Sequence, residues 1–325
     1  MSVPAKYRGA FPAFYACYTA RGKVSKDRAA ALADYYASIG VKGLYVCGSS
    51  GECILQSVDE RKATLEAVMD AVKGKMTIIA HVACPSTKDS IALAKHAEKL
   101  GVDAIAMIPG VYYGLSDATV KKYWLDVISA TDAVPLLIYN IPGTTNGFNL
   151  STPLFVSMLG TGRAIGVKNS SMSVQDIYRL RTAGGEDVAI FNGPDEQYMA
   201  GRVMGASGGI GGTYGCMPEL FLKLEELITL GKLDDATRLQ SKITGIIYRM
   251  FDTSCLMTTC KKLTAMRGYD IGTTRAPFLP LVRKDMPIVN ELYDTIIKTG
   301  DEFGVKKREP EKKSPPLVKA AEILF

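Results

Sequence analysis

Three segments place reactive side chains where plain packing would use apolar ones. In AIGVKNSS, residues 164–171, Lys168 directly follows Ile165, Gly166 and Val167. Such a lysine is either a nucleophile or a side chain that packs its stem and keeps its ammonium in water. Burial disfavours an ammonium, and the neutral amine is the form that attacks a carbonyl to give an imine. In PLLIYNIP, residues 135–142, Tyr139 offers either a phenol that passes protons to and from a substrate hydroxyl or a packed ring with a bonded OH. In GSSGE, residues 48–52, backbone N–H groups and the hydroxyls of Ser49 and Ser50 can converge on an anion such as a carboxylate. A serine-rich turn leading into a helix cap is the plainer alternative. The cluster GASGGIGGTYG, residues 205–215, invites a phosphate reading, but Tyr214 stands where G-x-G-x-x-G needs its last glycine, and thin packing accounts for it equally well. With two histidines, His81 and His96, in separate segments, a zinc site is not expected.

These residues need a scaffold, and the apolar pattern supplies one. Short β-rich runs recur at 11–19, 43–48, 76–83, 104–109, 135–142, 164–171, 188–195 and 208–215. Their unbroken apolar character suits strands covered on both faces. Between them lie helical segments such as 26–39, 57–72, 87–100 and 117–130. Eight strands alternating with helices predict an α/β protein, a (β/α)8 TIM barrel, with its chemistry at the C-terminal ends of the strands. An open doubly wound sheet competes, but the glycine fingerprint that follows its first strand is missing here. Beyond residue 215 only helical patterns follow, at 218–230, 233–251, 258–267 and 287–299. The expected division is a barrel over 1–225, C-terminal helices packed on it over 226–303, and a charged, mobile tail over 304–325.

Composition narrows the class. The net charge is +6, but residues 305–325 carry six Lys or Arg against three Glu, half of that excess, so no footprint for nucleic acid remains on the body of the chain. No run approaches the length of a membrane span, and the first six residues do not open a signal peptide. Seven cysteines without a C-x-x-C pair suit reduced thiols, so a cytoplasmic location is expected.

Taken together, G-S-S-G-E, Y-N-I-P, G-V-K-N-S and G-G-I-G-G-T-Y resemble in order and spacing the N-acetylneuraminate lyase and dihydrodipicolinate synthase family, over about residues 7 to 300. The resemblance implies a barrel with a helical C-terminal region, a homotetramer, and class I aldol chemistry on a 2-keto acid without metal or cofactor. It makes Lys168 the Schiff-base lysine, Tyr139 the proton-shuttling phenol, and Ser49, Ser50 and Gly51 the cradle of the keto-acid carboxylate. Tyr112 resembles the tyrosine that completes a hydroxyl relay across a subunit contact, and Ser170, Gly193 and Gly211 fall at further substrate contacts.

The departures bear on substrate. The synthase branch carries an arginine five residues after the motif tyrosine, where this chain has Thr144. N-G-P-D-E supplies Asp195 and Glu196, which in the lyase branch bond sugar hydroxyls; capping the following helix is their alternative role. Gly212 stands where a serine is common in the lyases, and Ser50 and Ser170 replace threonines. The expectation is reversible cleavage of N-acetylneuraminate to pyruvate and N-acetylmannosamine. A sibling aldolase acting on another sugar keto acid such as 2-keto-3-deoxygluconate comes second, and dihydrodipicolinate synthase third. A barrel that binds a keto acid as a regulator is the alternative outside catalysis.

Overall fold

A computed structural model describes residues 2–305. The expectation of a mobile tail therefore falls, from residue 306 onward, outside the described residues. Eight parallel strands form one sheet: β1 (Gly9–Pro12), β2 (Gly43–Val46), β3 (Thr77–His81), β4 (Ala104–Met107), β5 (Leu136–Asn140), β6 (Ala164–Asn169), β7 (Ala189–Asn192) and β8 (Gly208–Gly211). From β2 to β8 each strand pairs with the next in sequence, β8 pairs with β1, and an isolated bridge just past β1, between Ala13 and Tyr45, brings β1 to β2, so the sheet closes into a (β/α)8 barrel. Apart from Ile165 every strand residue is buried, which is why the runs read as continuously apolar.

The crossovers are α1 (Lys26–Ser38), α2 (Val58–Val72), α3 (Thr87–Leu100), α4 (Asp117–Ser129), α5 (Thr152–Leu159), α6 (Gln175–Gly184) and α7 (Tyr198–Val203). Local chemistry fixes where α1 to α5 begin. Ser25, Ser57, Ser86, Ser116 and Ser151 are extended N-caps whose side chains accept from the backbone N–H three residues on, and Glu60 completes a capping box with Ser57.

Two boundaries differ from the sequence reading. β1 starts at Gly9 and stops at Pro12 instead of spanning 11–19. Past the proline, Ala13 and Phe14 still donate to Gly211 and Tyr45 in the two flanking strands, and Tyr18 then donates to Ile271 outside the barrel. The expected division at 225 falls within α8 (Pro218–Thr229), whose buried Leu220, Phe221, Leu224 and Leu227 include a ring stacked on Tyr214 just past β8. α8 thus packs as the eighth barrel helix, and α9 (Leu233–Met250), α10 (Leu256–Met266) and α11 (Met286–Glu302) form the C-terminal extension against it. Among the described residues no helix is long and apolar enough to cross a membrane.

Candidate active site

β5 and β6 pair so that Tyr139 lies beside Lys168. Alternation sends both side chains to the barrel interior, while Asn140 and Asn169, one residue on, face outward. The two asparagines lock this register: Asn140 Nδ2 donates to Asn169 Oδ1 at 2.7 Å and to Asn149 Oδ1 at 2.8 Å, and its Oδ1 accepts from Leu150 N at 2.9 Å. Asn169 Nδ2 continues to Ser171, which donates to Asp176. Lys168 is 5% exposed. Its Nζ sits 4.1 Å from the Tyr139 ring centroid and 4.6 Å from that of Tyr45, and has no carboxylate partner among the described residues. An amine wedged between two ring faces at a strand end is packed, oriented and uncommitted, which separates it from a snorkelling surface lysine.

His81 closes the aromatic floor, its ring about edge-on to Tyr139 at 6.2 Å. Its Nδ1 donates to the Cys47 carbonyl at 3.2 Å, and burial, then the Arg61 guanidinium, hold the imidazole well below its ordinary pKa. Among the described residues no group of three or more His, Cys, Asp or Glu is placed to hold a metal ion.

The GSSGE segment is bracketed by two non-glycine residues in left-handed backbone, Cys47 at φ 60° and Glu52 at φ 52°. Strain of this kind is held in place by surrounding contacts and collects at functional loops. Ser50 is buried and Ser49 exposed; Ser50 O accepts from Ala16 N, while the N–H groups of Ser50 and Gly51 have no protein acceptor among the described residues. Two of the departures from the family pattern meet here, because a β-carbon on Gly212 would lie 3.1 Å from Ser50 Oγ.

Across the mouth, the end of β7 meets the turn after β8. Asp195 Oδ2 accepts from Thr213 N at 2.7 Å and from Thr213 Oγ1 at 2.6 Å. Its carboxylate therefore ties two strand ends together, and does not cap its own short 3-10 helix, Asp195–Gln197. Burial raises this carboxyl to about 6 despite the Thr213 bonds. Glu196 is half-buried and has no hydrogen-bond or ion-pair partner among the described residues. The glycines are spacers: a β-carbon on Gly211 would strike the Tyr214 ring and Asp195, and one on Gly193 would strike Ser170 Oγ. That favours the packing account of the glycine cluster over a phosphate loop. Tyr112 stands apart from these residues, 84% exposed and at φ 73°.

The family model for the dihydrodipicolinate synthetase family matches residues 6–295. The chain belongs to that family. Within it, the chain is similar to the N-acetylneuraminate lyase of Mediterraneibacter gnavus, 49% identical over 92% of this chain and 95% of that one. It is also similar to the N-acetylneuraminate lyase of Rhizobium meliloti, 35% identical over 90% and 96%. Among solved structures, the sialic acid aldolase of Ruminococcus gnavus superposes with a TM-score of 0.90 at 49% identity, covering 92% of this chain and 99% of that one.

Several residues around Lys168 and the GSSGE loop carry in the sequence no signal of their place. Tyr45, in GLYVCG, looks like an ordinary strand aromatic, and only closure of the barrel puts its ring under Lys168. Glu52 belongs to the GSSGE motif but had no role, and its partner Lys261 lies 209 positions away on α10. The adjacency of Asn140 to Tyr139 and of Asn169 to Lys168 was the available signal for the register lock.

Proposed function

We propose that the chain is a class I Schiff-base lyase that cleaves N-acetylneuraminate reversibly to pyruvate and N-acetylmannosamine. The observation that carries this reading is Lys168 Nζ, buried at the end of β6 between the rings of Tyr139 and Tyr45. The likeness to the lyases and to the aldolase structure supports the choice of sugar.

Lys168 attacks the C2 carbonyl of the open-chain sugar acid, and loss of water leaves a protonated imine. The imine draws the C3–C4 electron pair towards C2 as the C4 hydroxyl gives up its proton on the Tyr139 side. C4 departs as the aldehyde of N-acetylmannosamine, C3 of the enamine takes a proton, and water releases pyruvate and the free amine. The Ser50 and Gly51 N–H groups with the Ser49 and Ser50 hydroxyls hold the carboxylate, in keeping with their unused donors. Ser170, Gly193, Glu196 and the Asp195–Gly211 corner line the sugar chain. Tyr112 of a neighbouring copy in a homotetramer completes the proton relay. The reading puts the enzyme in the cytoplasm, where its seven cysteines, all unpaired, stay reduced.

Incubation with pyruvate and borohydride is expected to abolish activity and to leave one reduced adduct, located by mass spectrometry on Lys168. An adduct on another lysine, or none, overturns the mechanism. Pyruvate release from a panel of sugar keto acids tests the substrate, and a preference for 2-keto-3-deoxygluconate would move the assignment to the sibling aldolases.

A further inference from the structure

Glu52 and Lys261 form an ion pair at 2.6 Å with side chains 0% and 1% exposed. Burying two charges costs so much desolvation that such a pair rarely improves on an apolar one for stability alone, so its geometry needs another explanation. Glu52 is the residue after Ser50 and Gly51, and its backbone is left-handed at φ 52°. Both its oxygens are held from the C-terminal part of the chain: Oε1 by Lys261 Nζ and Oε2 by Arg275 N at 2.9 Å. Lys261 Nζ also donates to Thr273 O at 3.0 Å and lies 4.5 Å from the Tyr18 ring centroid, and Arg275 covers the same ring at 4.4 Å. The other side of the loop is gripped as well. Gln56 Nε2 donates to Gly51 O at 3.1 Å and to Tyr18 Oη at 2.9 Å, and Arg275 Nη1 donates to Leu55 O at 2.9 Å. Every restraint on residues 51–55 in this set converges on Tyr18, Lys261 and Arg275.

We infer that Lys261 is a positioning residue for substrate carboxylate: through Glu52 it sets the backbone that aims the Ser50 and Gly51 N–H groups. The C-terminal extension thereby becomes part of the keto-acid pocket without touching substrate. Lys168 and the Asp195 corner stand on other strands, so imine chemistry and sugar binding do not depend on this pair. The inference rests on the keto-acid reading above.

The test uses the full-length protein in the condensation direction, with Lys261→Met, Glu52→Gln and Lys261→Arg variants and melting temperature as the control for folding. Lys261→Met and Glu52→Gln are expected to raise KM for pyruvate at least tenfold, with KM for N-acetylmannosamine within twofold of wild type. Lys261→Arg, which keeps the charge and a donor, is expected to recover most of the loss. An unchanged KM for pyruvate overturns the inference. Parallel rises in both KM values with a lowered melting temperature, or failure of all three variants to fold, assign the pair to stability and overturn it too. Wild-type protein that traps no pyruvate on Lys168 overturns the functional reading and this inference together. Trapping in wild type with pyruvate binding unaltered in the variants overturns this inference alone.

Discussion

Lys168 stands out in the sequence because a lysine is out of character in an apolar run that ends at a barrel mouth, whereas Tyr139 reads equally as a packed ring and is singled out only by the family resemblance. Lys261 does not stand out, since it sits in Cys260–Lys261–Lys262 on a helix where either lysine reads as a solvated charge, and only a contact across 209 positions marks one of them as buried. Asp195 and Glu196 read as a pair in the sequence, yet the structure gives them different surroundings. Asp195 is engaged with Thr213, which leaves Glu196 as the uncommitted acceptor at this rim. If Glu196 bonds the sugar chain as proposed, replacing it with Ala leaves sugar hydroxyls without their partner and should weaken the sugar substrate by about 1–3 kcal/mol. Pyruvate trapping on Lys168 should persist at its wild-type rate. The measurement is kcat/KM on N-acetylneuraminate and on 2-keto-3-deoxygluconate beside the melting temperature. A variant that melts earlier but discriminates between the two sugars as before would remove Glu196 from the substrate contacts.

At the scale of elements, the eight strands and the first four crossover helices follow from apolar periodicity and serine caps, because both are local properties of the chain. The misplaced features are those that depend on closure. The start of β1 is decided by pairing with β8, where Gly9 meets Gly208, and the helix read at 218–230 shows itself as the eighth barrel helix only once its apolar face is seen against the barrel. The link between β7 and the turn after β8 is likewise tertiary, and it carries a pH signature. Burial lifts the Asp195 carboxyl to about 6. A carboxyl that binds its proton more tightly in the folded chain than in the unfolded one contributes stability that is complete below its unfolded pKa, near 4, and is lost as pH rises through about 6. The displacement corresponds to about 2–3 kcal/mol. Asp195→Asn keeps an oxygen for Thr213 and does not titrate. Urea unfolding of both proteins at equal concentration should therefore show the variant gaining on wild type between pH 4.5 and 7, with the gap levelling off above that. A gap independent of pH would mean that Asp195 is ionised throughout and that its environment is more polar than its burial suggests.

At the scale of the molecule, one chain leaves Tyr112 unexplained. A bulky aromatic residue in left-handed backbone is strained, and Tyr112 is 84% exposed beside Tyr113 at 70%, the two rings edge-on at 5.1 Å. Among the described residues no hydrogen bond holds Tyr112 and nothing covers those rings, whereas an assembly in which the loop enters a neighbouring copy would do both. If Tyr112 acts in a neighbour's site, the deficits of two damaged chains are separable. Lys168→Ala removes the nucleophile but keeps a Tyr112 to lend, and Tyr112→Phe keeps the nucleophile but lends no hydroxyl. Each variant alone should be inactive or severely impaired. Co-expressed and purified together through different tags, they form mixed assemblies in which a Lys168-bearing site receives Tyr112 from its neighbour. Random pairing makes about a quarter of the sites complete, so kcat per chain should rise towards that fraction of wild type with an unaltered KM for pyruvate. The complementary double variant, with both substitutions on one chain, controls for mixing: paired with wild type it cannot supply a hydroxyl to the intact nucleophile, so mixed pairs should lose activity in both sites. Activity of the first mixture equal to the mean of its two components would place Tyr112 in its own chain's site or outside catalysis, and sedimentation of that mixture would then show whether the copies had associated at all.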